Sequence, residues 1–300
     1  MEPLTSFRLA GPGDRRETKR AAAPSLWHHV WRDYPVVSMG LLILICTGCA
    51  AAPCIANHDP AQFYLQHLNE APNSSFYFGT DGLGRDIFSI IWYGGRVSLA
   101  VGFLSMIVSA CIGIVYGCLS GTASPLVDTV MMRAAELISS IPSILLLLLL
   151  LAFIPAPDIF TISLIIGATT WMNLARIVRS EVRQIRNSDY VLASRTMGGG
   201  FFHVVWYHLL PNFLSPVMFM IVSSIGSGMM MEATLSFLGI GLPVEIVSWG
   251  TMLSLSSRAL LTNSWWIILI PGLFLVVTLV CMTCIGHYLR HEVNRGCSNL

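Results

Sequence analysis

Cys46 and Cys49 stand in C-x-x-C spacing, and so do Cys281 and Cys284. That spacing serves tetrahedral zinc or a reversible disulfide. Zinc needs four converging ligands and a polar second shell, and both pairs lie inside long apolar runs that supply neither. Small, weakly polar side chains in such runs let helices approach, so no metal site is expected. His287 and His291 are one helical turn apart, but "HYLRHE" lacks the H-E-x-x-H order of a zinc protease. A nucleophile needs a base within hydrogen-bond reach. Ser and Cys recur in the apolar runs, yet no His lies deep within one, which argues against an intramembrane protease. A phosphate-cradling loop needs G-x-x-x-x-G-K-[ST], whereas the single lysine, Lys19, follows Thr18 and precedes Arg20. ATP hydrolysis by this chain through that motif is excluded, and no cofactor is expected on it.

Two further groupings carry charge. Glu232, in "GSGMMMEATLSFLGIGLP", is the acidic residue set well inside an apolar run. A carboxylate at bilayer depth costs about 2.5 to 3.5 kcal/mol on insertion scales, so it must face protein or a wet path. It is a candidate for a pore or gate position, with partnership to a hydroxyl or backbone N–H as the structural alternative. In "GTDGLGRD", Gly79, Gly82 and Gly84 allow a compact turn that Asp81, Arg85 and Asp86 could lock by charge-assisted bonds. The same charges could instead touch a docking protein.

Membrane-spanning helices must position all of these. Hydrophobic residues make up 54% of the chain and charged residues 11%, where a soluble domain carries about 25% charged. Apolar runs of spanning length lie at roughly 35–56, 97–118, 137–154, 159–175, 213–236 and 266–286. The predicted fold is an all-α integral membrane protein of six transmembrane helices. Residues 155–158, "PAPD", read as the turn between the third and fourth. Cytoplasmic segments retain Lys and Arg. With the N-terminus inside, 14 of the 17 basic residues fall on inner segments, and only Arg85, Arg96 and Arg258 fall outside. The organisation read from this is a cytoplasmic tail over 1–34, a first anchor over 35–56 and an extracytoplasmic loop over 57–96. A membrane domain over 97–288 follows, then a cytoplasmic tail over 289–300. "LICTGCAAAP" hints at lipoprotein cleavage, but the leader exceeds thirty residues, longer than a signal peptide of about 15 to 30, so a retained anchor is expected. Trp27 and Trp31 are expected along the inner interface, and Trp265 and Trp266 in the outer aromatic belt.

Between the fourth and fifth runs lies "DYVLASRTMGGGFFHVVWYHLLPN", 189–212. Asp189 is a fit N-cap for a short helix through Met197. Gly198, Gly199 and Gly200 supply the positive φ that stops it, and a second helix, Phe201 to Leu210, runs into Pro211. Two short helices in a V at the cytoplasmic face suit docking against a partner. A passive channel would leave them without a purpose.

This stretch resembles the coupling loop of permeases of bacterial ATP-binding-cassette importers, whose pattern is E-A-A, three residues, Gly, nine residues, I-x-L-P. Ala193 and Ser194 take the alanine places, Gly198 follows after three residues, and "HLLP" from His208 to Pro211 follows nine later. Leu192 stands where the pattern has Glu. A Glu there closes a capping box, and its loss costs roughly 0.5 to 1 kcal/mol by analogy with other cap losses. "FGTDGLGRDIFSIIWYGGRVSLAVG", "VDTVMMRAAELISSIPSILL" and "EATLSFLGIGLPVEIVSWGTML" resemble segments of the C-type subunit of dipeptide, oligopeptide and nickel permeases. Departures are "VEIV" in place of a proline-rich turn and "LRHEVNRG" in place of the family's ending.

The resemblance implies a type I importer permease fold in the bacterial inner membrane, with a coupling loop over 176–212. It implies that Leu192, Ala193, Ser194, Gly198, His208 and Pro211 form the ATPase-docking loop. The implied partners are a homologous B-type permease, two cytoplasmic ATPases holding ATP and Mg, an extracytoplasmic solute-binding protein and membrane lipid, with no nucleic acid. Implied cargoes are di- or oligopeptides, with nickel or a metal chelate as the alternative.

Overall fold

A computed structural model describes residues 35–186, 188, 194, 196–198, 210–255, 259 and 263–298, with backbone alone at 210–216 and 291–298. The regular structure among the described residues is helical, with an isolated bridge between Thr80 and Asp86 in the 56–86 loop. In chain order the helices are α1 (Val36–Ala50), α2 (Ala52–Ile55), α3 (Ile87–Thr122), α4 (Pro125–Ser139) and α5 (Ser143–Leu151). These are followed by α6 (Ile159–Ile185), α7 (Leu210–Phe237), α8 (Trp249–Ser254) and α9 (Trp266–Ser298). Among the described residues four stretches are long and apolar enough to cross a membrane: Ile87–Thr122, Ile159–Ile185, Val217–Phe237 and Trp266–Arg290. The pair α4–α5 passes the same test as one broken span, and α1 is apolar but only 15 residues long.

Two boundaries differ from the sequence expectation. The second span opens at Ile87, ten residues before the expected 97, because Arg96 does not end the apolar run. Its Nε and Nη2 donate to the carbonyls of Cys49 and Ala50 at the end of α1, each at 2.5 Å. Those carbonyls are the orphan acceptors of a helix C-terminus, so the charge is satisfied where the helices meet. The expected third span, 137–154, is two helices bent by 78°. Pro142 causes the break, since it lacks an N–H and biases Ile141 away from helical backbone. Pro211 lies within α7, and the helix expected over Phe201 to Leu210 falls, at 201–209, outside the described residues. The turn after α5 ends at Asp158, which caps α6 by accepting from Thr161 N–H at 2.8 Å. Bonds from Thr161 hold the Asp158 carboxyl below the usual carboxylate range.

The buried face of α3 is a stripe of small residues, including Ser98, Gly102, Ser105, Ser109, Gly113, Gly117 and Gly121, while Phe103, Val115 and Leu119 face outward. Lipid gives no hydrophobic drive between helices, so close backbone approach does the packing. A Cβ at Gly117 would lie 2.7 Å from both the Ala175 carbonyl oxygen and Val178 Cβ. The neighbouring glycines meet Leu174 and Val182 in the same order, so α3 and α6 run parallel. Ser98 meets Glu232 and Ser105 meets Gly228, so α7 runs antiparallel to both. Replacing Gly117 with leucine should cost about 2 kcal/mol by overpacking, read as a lower midpoint of thermal unfolding in detergent. Gly82→Ala, whose Cβ meets nothing closer than 3.6 Å, is the matched control.

In each C-x-x-C pair one cysteine is buried, Cys49 and Cys281, while Cys284 is exposed. Cys49 is buried against Gly95, and the described cysteines are free. Trp265 is exposed, but Trp266 is 8% exposed and donates its indole N–H to the Thr80 carbonyl at 3.2 Å. Trp266 therefore anchors the 57–86 loop to α9, contrary to its expected place in an aromatic belt.

Candidate functional site

α6 ends at Ile185 and leads into the stretch expected to bear the docking loop. Its last turns carry arginines whose partners lie on the α3–α4 corner. Asp128, in the first turn of α4 and 3% exposed, accepts from Ser120 Oγ at 2.6 Å, from both Nε and Nη2 of Arg179, and from Arg183 Nη1 at 3.0 Å. The fork from Arg179 is the bidentate geometry that guanidinium favours. Arg186 Nη1 donates to the carbonyls of Gly121 at 2.9 Å and Ala123 at 3.2 Å, capping the end of α3. One carboxylate and two carbonyls thus tie the base of the loop to two other helices. Sequence reasoning missed this knot. Its signal was Arg179 and Arg183 four residues apart on one helix, with an acid at Asp128 in an otherwise apolar neighbourhood.

Within the loop, Ser194 and Thr196 are helical, Met197 is 82% exposed, and Gly198 has φ +91°. Among the described residues no atom lies within 4 Å of where a Gly198 Cβ would stand. The positive φ is itself a demand for glycine. Leu192, Ala193, Gly199, Gly200 and His208 lie outside the described residues.

Glu232 is fully buried and accepts from three serine hydroxyls: Ser248 at 2.7 Å, Ser236 at 2.9 Å and Ser98 at 3.4 Å. Ser248 also caps α8 in a reciprocal box with Thr251. Ser98 accepts from the backbone N–H of Trp249, whose indole N–H donates to the Ile91 carbonyl. The carboxylate thus joins α3, α7 and α8 through hydroxyls. In this chain the carboxylate is fully buried among those hydroxyls.

The "GTDGLGRD" turn is closed on itself. Asp81 accepts at one oxygen from the backbone N–H groups of Leu83 and Arg85, both at 2.9 Å, and at the other from Arg85 Nε at 2.8 Å. Asp86 caps α3 by accepting from Ser89 N–H at 3.1 Å and Ser89 Oγ at 2.6 Å. Gly79 and Gly84 have φ of +75° and +76°, whereas Gly82 does not take a positive φ. Asp81, Arg85 and Asp86 are all at most 3% exposed in this chain.

The profile of the family described as "Binding-protein-dependent transport system inner membrane component" matches residues 113–295. The oligopeptide transport system permease protein OppC of Bacillus subtilis (strain 168) is 33% identical over 290 residues, covering 95% of this chain and 94% of that protein. The dipeptide transport system permease protein DppC of the same organism is 32% identical over 286 residues, covering 93% and 89%. The probable D,D-dipeptide transport system permease protein DdpC of Escherichia coli (strain K12) is 30% identical over 276 residues, covering 92% of each. A glycine-stopped loop on a knotted helix base, carried by apolar spans packed through small residues, accords with these matches. The chain belongs to the family of inner-membrane components of binding-protein-dependent transport systems.

Proposed function

We propose that this multi-pass membrane protein is one of two non-identical permease subunits of an ATP-driven importer of di- and oligopeptides. Its partners are a homologous permease, two cytoplasmic ATPases and an extracytoplasmic solute-binding protein, and both of its termini are cytoplasmic. The chain itself makes and breaks no bond. Closure of the ATPase pair on ATP is a rigid-body motion that the 189–212 loop receives and α6 transmits. The observation that carries this reading is Gly198, left-handed at the motif's fixed position beside the exposed Met197. The names of the relatives support peptides as cargo. They lend nothing to nickel or a metal chelate.

Replacing Gly198 with valine forces a β-branched residue into left-handed backbone, which costs about 1 to 2 kcal/mol. The Gly198→Val protein should insert normally but lose most peptide uptake, with ATP hydrolysis no longer rising when the loaded binding protein is added. A single cysteine at Met197 should cross-link to an ATPase subunit in intact cells. Normal transport by Gly198→Val together with no ATPase adduct from position 197 would reject the docking role. Peptide uptake that continues with catalytically dead ATPases would reject the importer itself.

A further inference from the structure

A polar cleft of about 280 Å³ opens between the α4–α5 break, α6 and α7. It is just below the roughly 300 to 1,000 Å³ of small-molecule clefts, and a facing permease would enlarge it. Its polar lining includes Ser139, Thr170, Asn173, Arg176, Ser223 and Ser227. No Asp or Glu is among its described lining residues. A guanidinium in a spanning helix does not face lipid tails but protein, water or the interface, whereas a hydroxyl can also bond a carbonyl of its own helix, as Thr170 does to Ile166 at 2.8 Å.

Arg176 is distinguished from the other arginines of α6. Arg179 and Arg183 are bound to Asp128, and Arg186 to two backbone carbonyls. Arg176 holds neutral side chains only, Asn173 Oδ1 at 3.0 Å and Ser139 Oγ at 3.3 Å, and it is exposed. Among the described residues no carboxylate lies within ion-pair distance of it. It stands about 26 Å along α6 from Ile159, close to one full hydrocarbon thickness. A guanidinium left with open donors at the end of an acid-free polar cleft matches a carboxylate, which it binds bidentately. The neighbouring hydroxyls can accept from peptide N–H groups and Asn173 can donate to peptide carbonyls.

We propose that this cleft is the chain's own wall of the translocation passage, and that Arg176 receives the C-terminal carboxylate of a transported peptide near the inner face. The inference rests on the importer reading above. The passage then favours peptides ending in a free carboxylate over their amides and disfavours bare cations.

The test uses the complete importer in vesicles, with a short peptide and its C-terminal amide each supplied at concentrations that saturate the binding protein. Because that protein is unaltered, a change in the ratio of the two uptake rates arises in the permease. Arg176→Gln should lower uptake of the acid form about ten-fold, the range for losing one charge-assisted bond, and change the amide less than two-fold. Arg176→Lys, which keeps the charge, should retain most of the acid uptake. An equal fall for both forms would assign Arg176 to structure or to lipid headgroups and overturn the proposal, and so would no fall in either. A wild-type importer that moves neither form would instead overturn the importer reading from which the inference starts.

Discussion

Asp128→Ala is expected to lower the stability of the folded chain by roughly 3 kcal/mol. Breaking a buried ion pair from one side costs about 3 to 5 kcal/mol because the remaining charge is stranded. The lower end applies here, since the Arg179 side chain is 27% exposed and that of Arg183 is 46% exposed, so water compensates in part. Two guanidinium groups would also be left adjacent without their shared anion. Asp128→Asn keeps an acceptor for Ser120 and for one arginine, so it should lose about half as much. The measurement is the denaturation midpoint in mild detergent, read beside peptide-stimulated ATP hydrolysis in the assembled complex. If the knot transmits motion from the docking loop, stimulation should fall in both variants, and in Asn well before unfolding begins. An unchanged midpoint in Asp128→Ala would show that the carboxylate is not holding the α3–α4 corner to α6.

Glu232→Leu is expected to cost more, roughly 4 kcal/mol. It strands three buried serine hydroxyls at about 1 to 3 kcal/mol each, discounted because Ser236 lies within reach of a backbone carbonyl in its own helix. It also frees α8, since Ser248 loses the acceptor that orients its capping oxygen. Glu232→Gln keeps an acceptor of the same shape and should cost about 1 kcal/mol. The contrast between the two is informative. A carboxylate that gates a wet path would lose transport in Gln as fully as in Leu. A carboxylate that organises hydroxyls would leave Gln nearly normal in both unfolding midpoint and peptide uptake.

How much of this was legible beforehand depended on the range of the interaction. The spacing from Ala193 through Gly198 to Pro211 is local, and the left-handed backbone at Gly198 follows from it. Asp86 and Asp158 prove to be caps, a role the sequence reading gave to neither although a cap bonds only a few residues onward. The 87–96 turns of α3 were hidden because a charge, Arg96, meets its partners 46 and 47 residues away. The two roles open for Asp81, Arg85 and Asp86 could not be separated from spelling alone, since both demand the same residue types. In this chain all three are at most 3% exposed.

The amino-acid sequence by itself determined the membrane, the apolar spans and the glycine-stopped loop, because composition and short-range backbone preference suffice for each. Only the tertiary structure decided which charges are spent on the fold and which remain open. Asp128 closes on Arg179 and Arg183, and Glu232 on three serines, while Arg176 keeps neutral partners only. The physical reason is that a buried charge is defined by partners brought to it across the bundle, and helices packed through small residues set those partners at distances that spacing along the chain does not encode.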